Sequence, residues 1–129
     1  MMEIPAELRY TTEDEWLRLE PDGTATVGIT AYAQDQLGDI VFVELPEIGR
    51  VIARGEAFGV VESVKAVSDL FMPASGEVLA RNDALVDASQ LINESPYDDG
   101  WIIRIRPTNP AEIDALLTAD AYRSRLPAE

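Results

Sequence analysis

Cysteine and histidine are both absent from the 129 residues. Without cysteine there is no disulfide framework and no thiol chemistry. Without histidine the commonest general base and the commonest metal ligand are missing, so Ser-His-Asp and Cys-His catalysis are excluded. Cations are scarce as well: 10 Lys and Arg stand against 24 Asp and Glu, for a formal net charge of −14. Such a chain repels nucleic acid and anionic membranes and favours partners with basic docking surfaces. No apolar run is long enough to span a bilayer. The N-terminal MMEIPAELRY carries neither a basic-apolar signal nor an Arg- and Ser-rich transit pattern, so a cytoplasmic protein is expected.

What remains reads as one domain over residues 1–129, long enough to bury a core without staples. Glu15–Leu19 reads as a strand closed by the Pro21-Asp22-Gly23 turn, and Thr24–Thr30 as a second, β-branched strand. Ala31–Leu37 is rich in helix formers and stops at Gly38, and Asp39–Leu45 returns to strand before a loop over 46–49. Further on, a helical piece is expected over Ala88–Asn93, a loop over Ser95–Gly100 and a strand over Trp101–Arg106. Asn109-Pro110-Ala111-Glu112 resembles a capping box, with Asn at the N-cap and Glu in the third helical position. It opens a helix to about Leu117, which resumes over Asp120–Arg125.

An internal repeat aligns GRVIARGEAF (49–58) with GEVLARNDAL (76–85) without gaps. Gly55 falls opposite Asn82, and both residue types tolerate positive φ in tight turns. The repeat therefore predicts two similar hairpins related by a pseudo-twofold.

Lys65 lies between the two copies, in the run GVVESVKAVSDLFMPASGEV (59–78). Val60, Val61, Val64, Val67 and Phe71 also fit a helical stripe. The density of β-branched residues and the Gly59 and Pro73/Gly76 punctuation favour two short strands meeting at Lys65, over about 56–72. No Asn-Gly signature marks the tip, so a type I or looser turn is expected. An isolated amine held out on such a tip suits covalent attachment. An ordinary surface lysine is the bland alternative, and Glu62, three residues earlier, serves either to solubilise the hairpin or to mark it. Trp16 and Trp101 read as packing residues.

GVVESVKAVSD resembles the attachment hairpin of lipoyl domains, with Lys65 at the modified position. GITAYAQDQLGDIVFVELPEIG (28–49), LINESPYDDGWIIRI (91–105) and the two-part helical C-terminus at about 109–126 resemble the glycine cleavage H-protein family. The resemblance covers nearly everything from Tyr10 to Leu126. Biotin carriers use a similar tip, but with methionines beside the lysine where this chain has Val64 and Ala66. One departure stands out: Asp14 precedes Glu15-Trp16 where the family often has histidine.

The resemblance implies a mainly β fold, a lipoyl/biotinyl-type β-sandwich (barrel-sandwich hybrid) with short helices and a C-terminal helical segment. It implies a non-catalytic carrier holding lipoic acid as lipoyl-lysine on Lys65. The carrier shuttles an aminomethyl group from a pyridoxal-phosphate glycine decarboxylase to a tetrahydrofolate-dependent aminomethyltransferase, and is reoxidised by dihydrolipoamide dehydrogenase. A lipoylating ligase or transferase loads it, since an exposed lysine amine is protonated at neutral pH and does not acylate itself. It further implies that Glu15 and Asp69 line a cleft that holds the loaded arm, and that Glu62 helps the tip to be recognised. The alternatives are a lipoyl carrier or donor with another pathway role and an unmodified acidic interaction module.

Overall fold

The computed structural model describes residues 3–127, so the two terminal residues at each end of the expected 1–129 domain lie outside the described residues. Nine strands form two antiparallel sheets. The larger sheet has the order β1-β2-β3-β9-β8-β5: β1 is Arg9–Tyr10, β2 Glu15–Leu19, β3 Ala25–Ile29, β5 Val51–Ile52, β8 Gly76–Arg81 and β9 Ile103–Pro107. The smaller has the order β4-β6-β7, with β4 at Ile40–Glu44, β6 at Ala57–Ser63 and β7 at Val67–Phe71. Leu17, Val27, Ile103 and Ile105 of the first sheet meet Val43, Phe58, Val61 and Leu70 of the second in one apolar core. Burial of alternate side chains on facing sheets is the arrangement expected of a β-sandwich.

The early elements lie within a residue of their sequence expectation, because local chemistry specifies them. Asp22 accepts from the Thr24 amide (3.0 Å) and hydroxyl (2.6 Å) to close the β2–β3 turn. Helix α1 occupies Ala31–Leu37; Thr30 caps its start by accepting from the Ala33 amide, and Gly38 ends it at φ 81°. Trp16 packs flat against Gly28 of β3: a Cβ built there would sit 2.7 Å from two ring atoms.

Several expectations need correction. The single helical piece over 88–93 is two separate turns, α2 (Ala84–Asp87) and α3 (Leu91–Glu94). The break falls at Ala88, in a non-helical conformation, where the Ser89 hydroxyl turns to the carbonyl of Ile40. The repeat folds alike only in its first half. Both copies begin as strand, β5 and β8, which pair antiparallel through Val51–Glu77 and Ile52–Gly76, but Val51 is exposed where its aligned Val78 is buried, so no local twofold relates the aligned positions. The first copy then turns at Gly55 (φ 85°) into β6, but the second runs into α2. Asn82 does not take positive φ; it is buried, and its amide nitrogen donates to the carbonyls of Asp99 and Trp101.

The helix opened by Asn109, α4, ends at Asp114, and α5 covers Ala119–Arg125. Leu117 leaves the helical path because its backbone exchanges hydrogen bonds with Tyr10 (2.9 and 2.8 Å). Asn109 does cap α4 through the Ala111 amide, but Glu112 reaches across to the Ser75 amide (2.8 Å) and hydroxyl (3.2 Å) instead of back to the cap. The last strand begins at Ile103, two residues later than expected, since the Trp101 amide is taken up by the carbonyl of Asp98 in the preceding turn. Finally, α5 lays Ala119 and Tyr122 over Leu8, Tyr10, Trp16 and Tyr97, forming a second, aromatic core in which Tyr10 stacks on Tyr122 at 4.7 Å.

Candidate functional site: a lysine tip and a buried carboxyl

Strands β6 and β7 form a hairpin in the register Glu62–Val67, Val61–Ser68 and Val60–Asp69. Its tip is Ser63-Val64-Lys65-Ala66, closed by the Ser63 amide donating to the Ala66 carbonyl at 2.8 Å. The reciprocal bond is made by a side chain: the Ser63 hydroxyl oxygen accepts from the amides of Lys65 (3.3 Å) and Ala66 (3.1 Å). Ser63 thus does the work that an Asn-Gly turn does elsewhere, and no non-glycine residue here needs positive φ.

The tip is also pinned from outside. The Val64 amide donates to the carbonyl of Asp39 at 3.0 Å. That corner is held by Asn93 of α3, which accepts from the Ile40 amide (2.9 Å) and donates to the Gly38 carbonyl (2.9 Å) and the Gln34 side chain (3.0 Å). Lys65 is exposed, and its stem lies over Gly38. It is also the only lysine in the chain, a signal that the sequence reading left unused.

Bonds in an antiparallel pair alternate, so the closing pair at Ser63–Ala66 fixes which groups of β7 face its partner. Ser68 and Leu70 turn their backbone groups to β6, whereas Val67, Asp69 and Phe71 turn theirs to the free edge. The amide of Phe71 finds a partner there: it donates to Glu15 Oε2 at 3.2 Å. Glu15 Oε1 accepts from the Thr11 hydroxyl at 2.7 Å. The Glu15 carboxyl is therefore fixed between the two sheets, and its residue is 2% exposed. Burial pushes its pKa up to about 8, against the opposing pull of these two donors.

Glu15 lines a cleft of about 420 Å³ whose walls include Thr11, Arg54, Phe71, Met72 and Leu116. The path from Lys65 down β7 to Phe71 is six residues, roughly 20 Å of extended chain. The structure does not bring the carboxylates of Glu15 and Asp69 together. Asp69 is not part of the cleft wall; its side chain is exposed beside Val60 on the outer face of the small sheet, and only its backbone faces the edge. Glu62 lies on that outer face too, between Phe42 and Val67.

Next to Glu15 but outside the cleft wall lies Asp14, which the sequence marks only as a departure from the family pattern; its partner Tyr122, which the sequence does not single out, lies outside that wall too. Asp14 has φ 68° and accepts from the Tyr122 hydroxyl at 2.9 Å, which in turn shares a 2.7 Å bond with Thr30. Burial raises the Asp14 carboxyl above its ordinary range and raises Tyr122 too. Asp14 thereby ties the start of β2 to α5. No local pattern marks Asp14 or Tyr122, because 108 residues separate them.

A family model described as Glycine cleavage H-protein matches residues 8–129. A glycine cleavage system H protein of Psychrobacter cryohalolentis is 58% identical over 98% of this chain and all of its own length. One from Neisseria meningitidis serogroup C is 60% identical over 92% of this chain and 93% of its own. A crystal structure of a glycine cleavage system H protein from Mycobacterium marinum superposes with a TM-score of 0.88, at 43% identity, over 95% of this chain and 98% of that one. The chain belongs to the glycine cleavage H-protein family.

Proposed function

We propose that this chain is the lipoylated carrier of the glycine cleavage system, with lipoic acid attached by an amide to Lys65. The observation that carries the reading is the placement of Lys65: the only lysine, exposed on a tip tied down by Ser63 and Asp39, at the head of a free strand edge that leads to a buried carboxyl. The residues suit such a group. Lys65 offers the amine, and the cleft offers apolar walls from Phe71, Met72 and Leu116 with Glu15 at one side.

When bound, the dithiolane supplies both the sulfur that carries a one-carbon amine and the redox couple that this cysteine-free chain lacks. Lys65 tethers the group, and a flexible tether keeps it at an effective concentration in the millimolar range at each enzyme it visits. Glu15, which burial keeps protonated, would release its proton to solvent to pair with an ammonium at the arm's end, while Asp69 borders the path with its edge backbone. Glu62 stands beside the tip, where a loading enzyme would meet it. The partners on this reading are the glycine decarboxylase, the aminomethyltransferase, dihydrolipoamide dehydrogenase and a lipoylating ligase or transferase. Among the described residues no helix is long and apolar enough to cross a membrane.

The test uses Lys65→Arg. The variant should fold as the wild type does, show no mass increase after incubation with a lipoylating enzyme, and support no release of carbon dioxide from glycine by the decarboxylase. A lipoyl adduct mapped elsewhere, or an active Arg variant, would refute the assignment. Loading of the lipoylated wild type with glycine separates a glycine cleavage carrier from a lipoyl donor with another role.

A further inference from the structure

Eight large hydrophobic side chains are exposed among the described residues, and four of them surround Lys65: Val41 (56% exposed), Phe42 (50%), Val64 (69%) and Val67 (67%). Pairing explains why they gather. Phe42, Glu62 and Val67 stand opposite one another across β4, β6 and β7, so their side chains share the outer face of the small sheet. Between Ile40 and Phe42 the register slips by one residue, a bulge that leaves Val41 unpaired and turned out to solvent beside Phe42. Val64 adds its side chain from the tip itself. The core on the other face is formed by Val43, Val61 and Leu70, and these four side chains lie outside it. Glu62 stands within the patch, between Phe42 and Val67, Glu44 and Asp69 border it in the next row, and Lys65 is the only cation between Ala57 and Phe71.

Resting on the reading of Lys65 as the acylated residue, we propose that this patch is the docking surface for the enzyme that acylates Lys65. That enzyme presents an apolar surface with a basic rim. The argument turns on distance. An enzyme acting on the far end of a loaded arm works many bond lengths from the tip. The acylating enzyme must bring an activated acyl carbonyl, as an acyl phosphate anhydride or a thioester, onto Nζ itself. There the amide C–N bond forms, the bond from the acyl carbon to its phosphate or thiolate breaks, and the ammonium gives up its protons to the solvent or the enzyme. Its footprint therefore takes in whatever flanks the amine, and what flanks it is Val64, Val67, Phe42 and Val41. Burying such a patch supplies affinity, while the carboxylate rim selects a basic partner and sets orientation.

The test is the initial rate of lipoyl transfer to the unmodified carrier, read by intact mass, for wild type, Phe42→Thr, Val67→Thr and the double variant. Leu19→Thr and Val51→Thr are controls, since both side chains are exposed and belong to the larger sheet. Substitution at exposed positions should leave the thermal midpoint near that of the wild type. The expected result is a fall of about tenfold in kcat/KM for the double variant, carried by KM, as for loss of a central interface anchor. The controls should be unchanged, and once lipoylated the double variant should be loaded by the decarboxylase at the wild-type rate. Acylation of the double variant at the wild-type kcat/KM overturns the proposal, as does an equal loss in both reactions, which would make the patch a general contact. If the wild type itself gains no acyl group, it is the attachment reading that fails.

Discussion

Glu15 shows how a single carboxyl can be held for a task that the fold does not need. Two donors, the Thr11 hydroxyl and the Phe71 amide, favour its ionised form, and burial opposes them and wins. Its pKa rises from an ordinary 4.5 to about 8, so folding takes up a proton between those values. The native state then binds more protons than the unfolded state, and stability falls as pH rises through this window, by at most about 1.4 kcal/mol per pH unit. The loss is complete above the folded pKa and absent below the unfolded one. Glu15→Gln keeps the volume without the titration. Urea unfolding of the unmodified carrier at pH 5.5, 7 and 9 should therefore show the variant gaining on the wild type as pH rises. A stability difference that stays flat across the three values would rule out a titrating Glu15. Asp14, also raised by burial, pushes the wild type the same way, so the difference between the two proteins is the quantity to follow.

At the scale of elements, the site depends on a hairpin tip that is rigid for reasons outside itself. Ser63 supplies the missing acceptor of the turn, and Asn93 holds the Gly38–Asp39 corner on which the tip leans. Ser63→Ala should leave global stability within about 0.5 kcal/mol, as for most exposed positions. It should also raise amide hydrogen exchange at Lys65 and Ala66, which lose their acceptor; unchanged exchange there would show that the backbone alone sets the tip. Gly28→Ala tests the opposite kind of position. Its Cβ would enter the Trp16 ring, itself tied to the Pro96 carbonyl at 3.0 Å, so β2 and β3 must separate or the indole must move. A loss of about 3 kcal/mol or more is expected in thermal unfolding, at the upper end of overpacking costs.

The same elements show what was legible. β2, α1 and the start of α4 carry their signals within a few residues: a Pro-Asp-Gly turn, Thr30 with Gly38, and Asn109 with Pro110. The hairpin itself was readable from valine density and flanking glycines. The split between α2 and α3 was not, since Ser89 and Asn93 are spent on β4, some 50 residues away. Glu112 is misread for the same reason: a local cap was offered, and Ser75 took it.

Over the whole molecule, the decisive quantity is charge. The 24 acidic residues outnumber the cations by 14, four arginines are engaged in ion pairs among the described residues, and Glu15 is the one acidic residue buried among them. Self-repulsion keeps such a carrier from associating with its own copies while drawing it toward basic partners. The field reaches about 10 Å at 0.1 M salt and about 3 Å at 1 M. A carrier that must find several enzymes in turn gains from faster encounter and from modest affinity, because each complex must also come apart. Raising salt from about 0.02 to 0.3 M should therefore raise the apparent KM of the decarboxylase for the lipoylated carrier severalfold, with kcat unchanged. The apolar patch beside Lys65 sharpens the comparison. If the acylating enzyme docks there, part of its affinity comes from burying Phe42 and Val67, and salt does not weaken that part. Its KM should then climb less steeply with ionic strength than that of the decarboxylase, and the Phe42→Thr, Val67→Thr double variant should restore the steeper slope. Equal slopes for both enzymes with the wild-type carrier would mean that charge alone brings this protein to its partners.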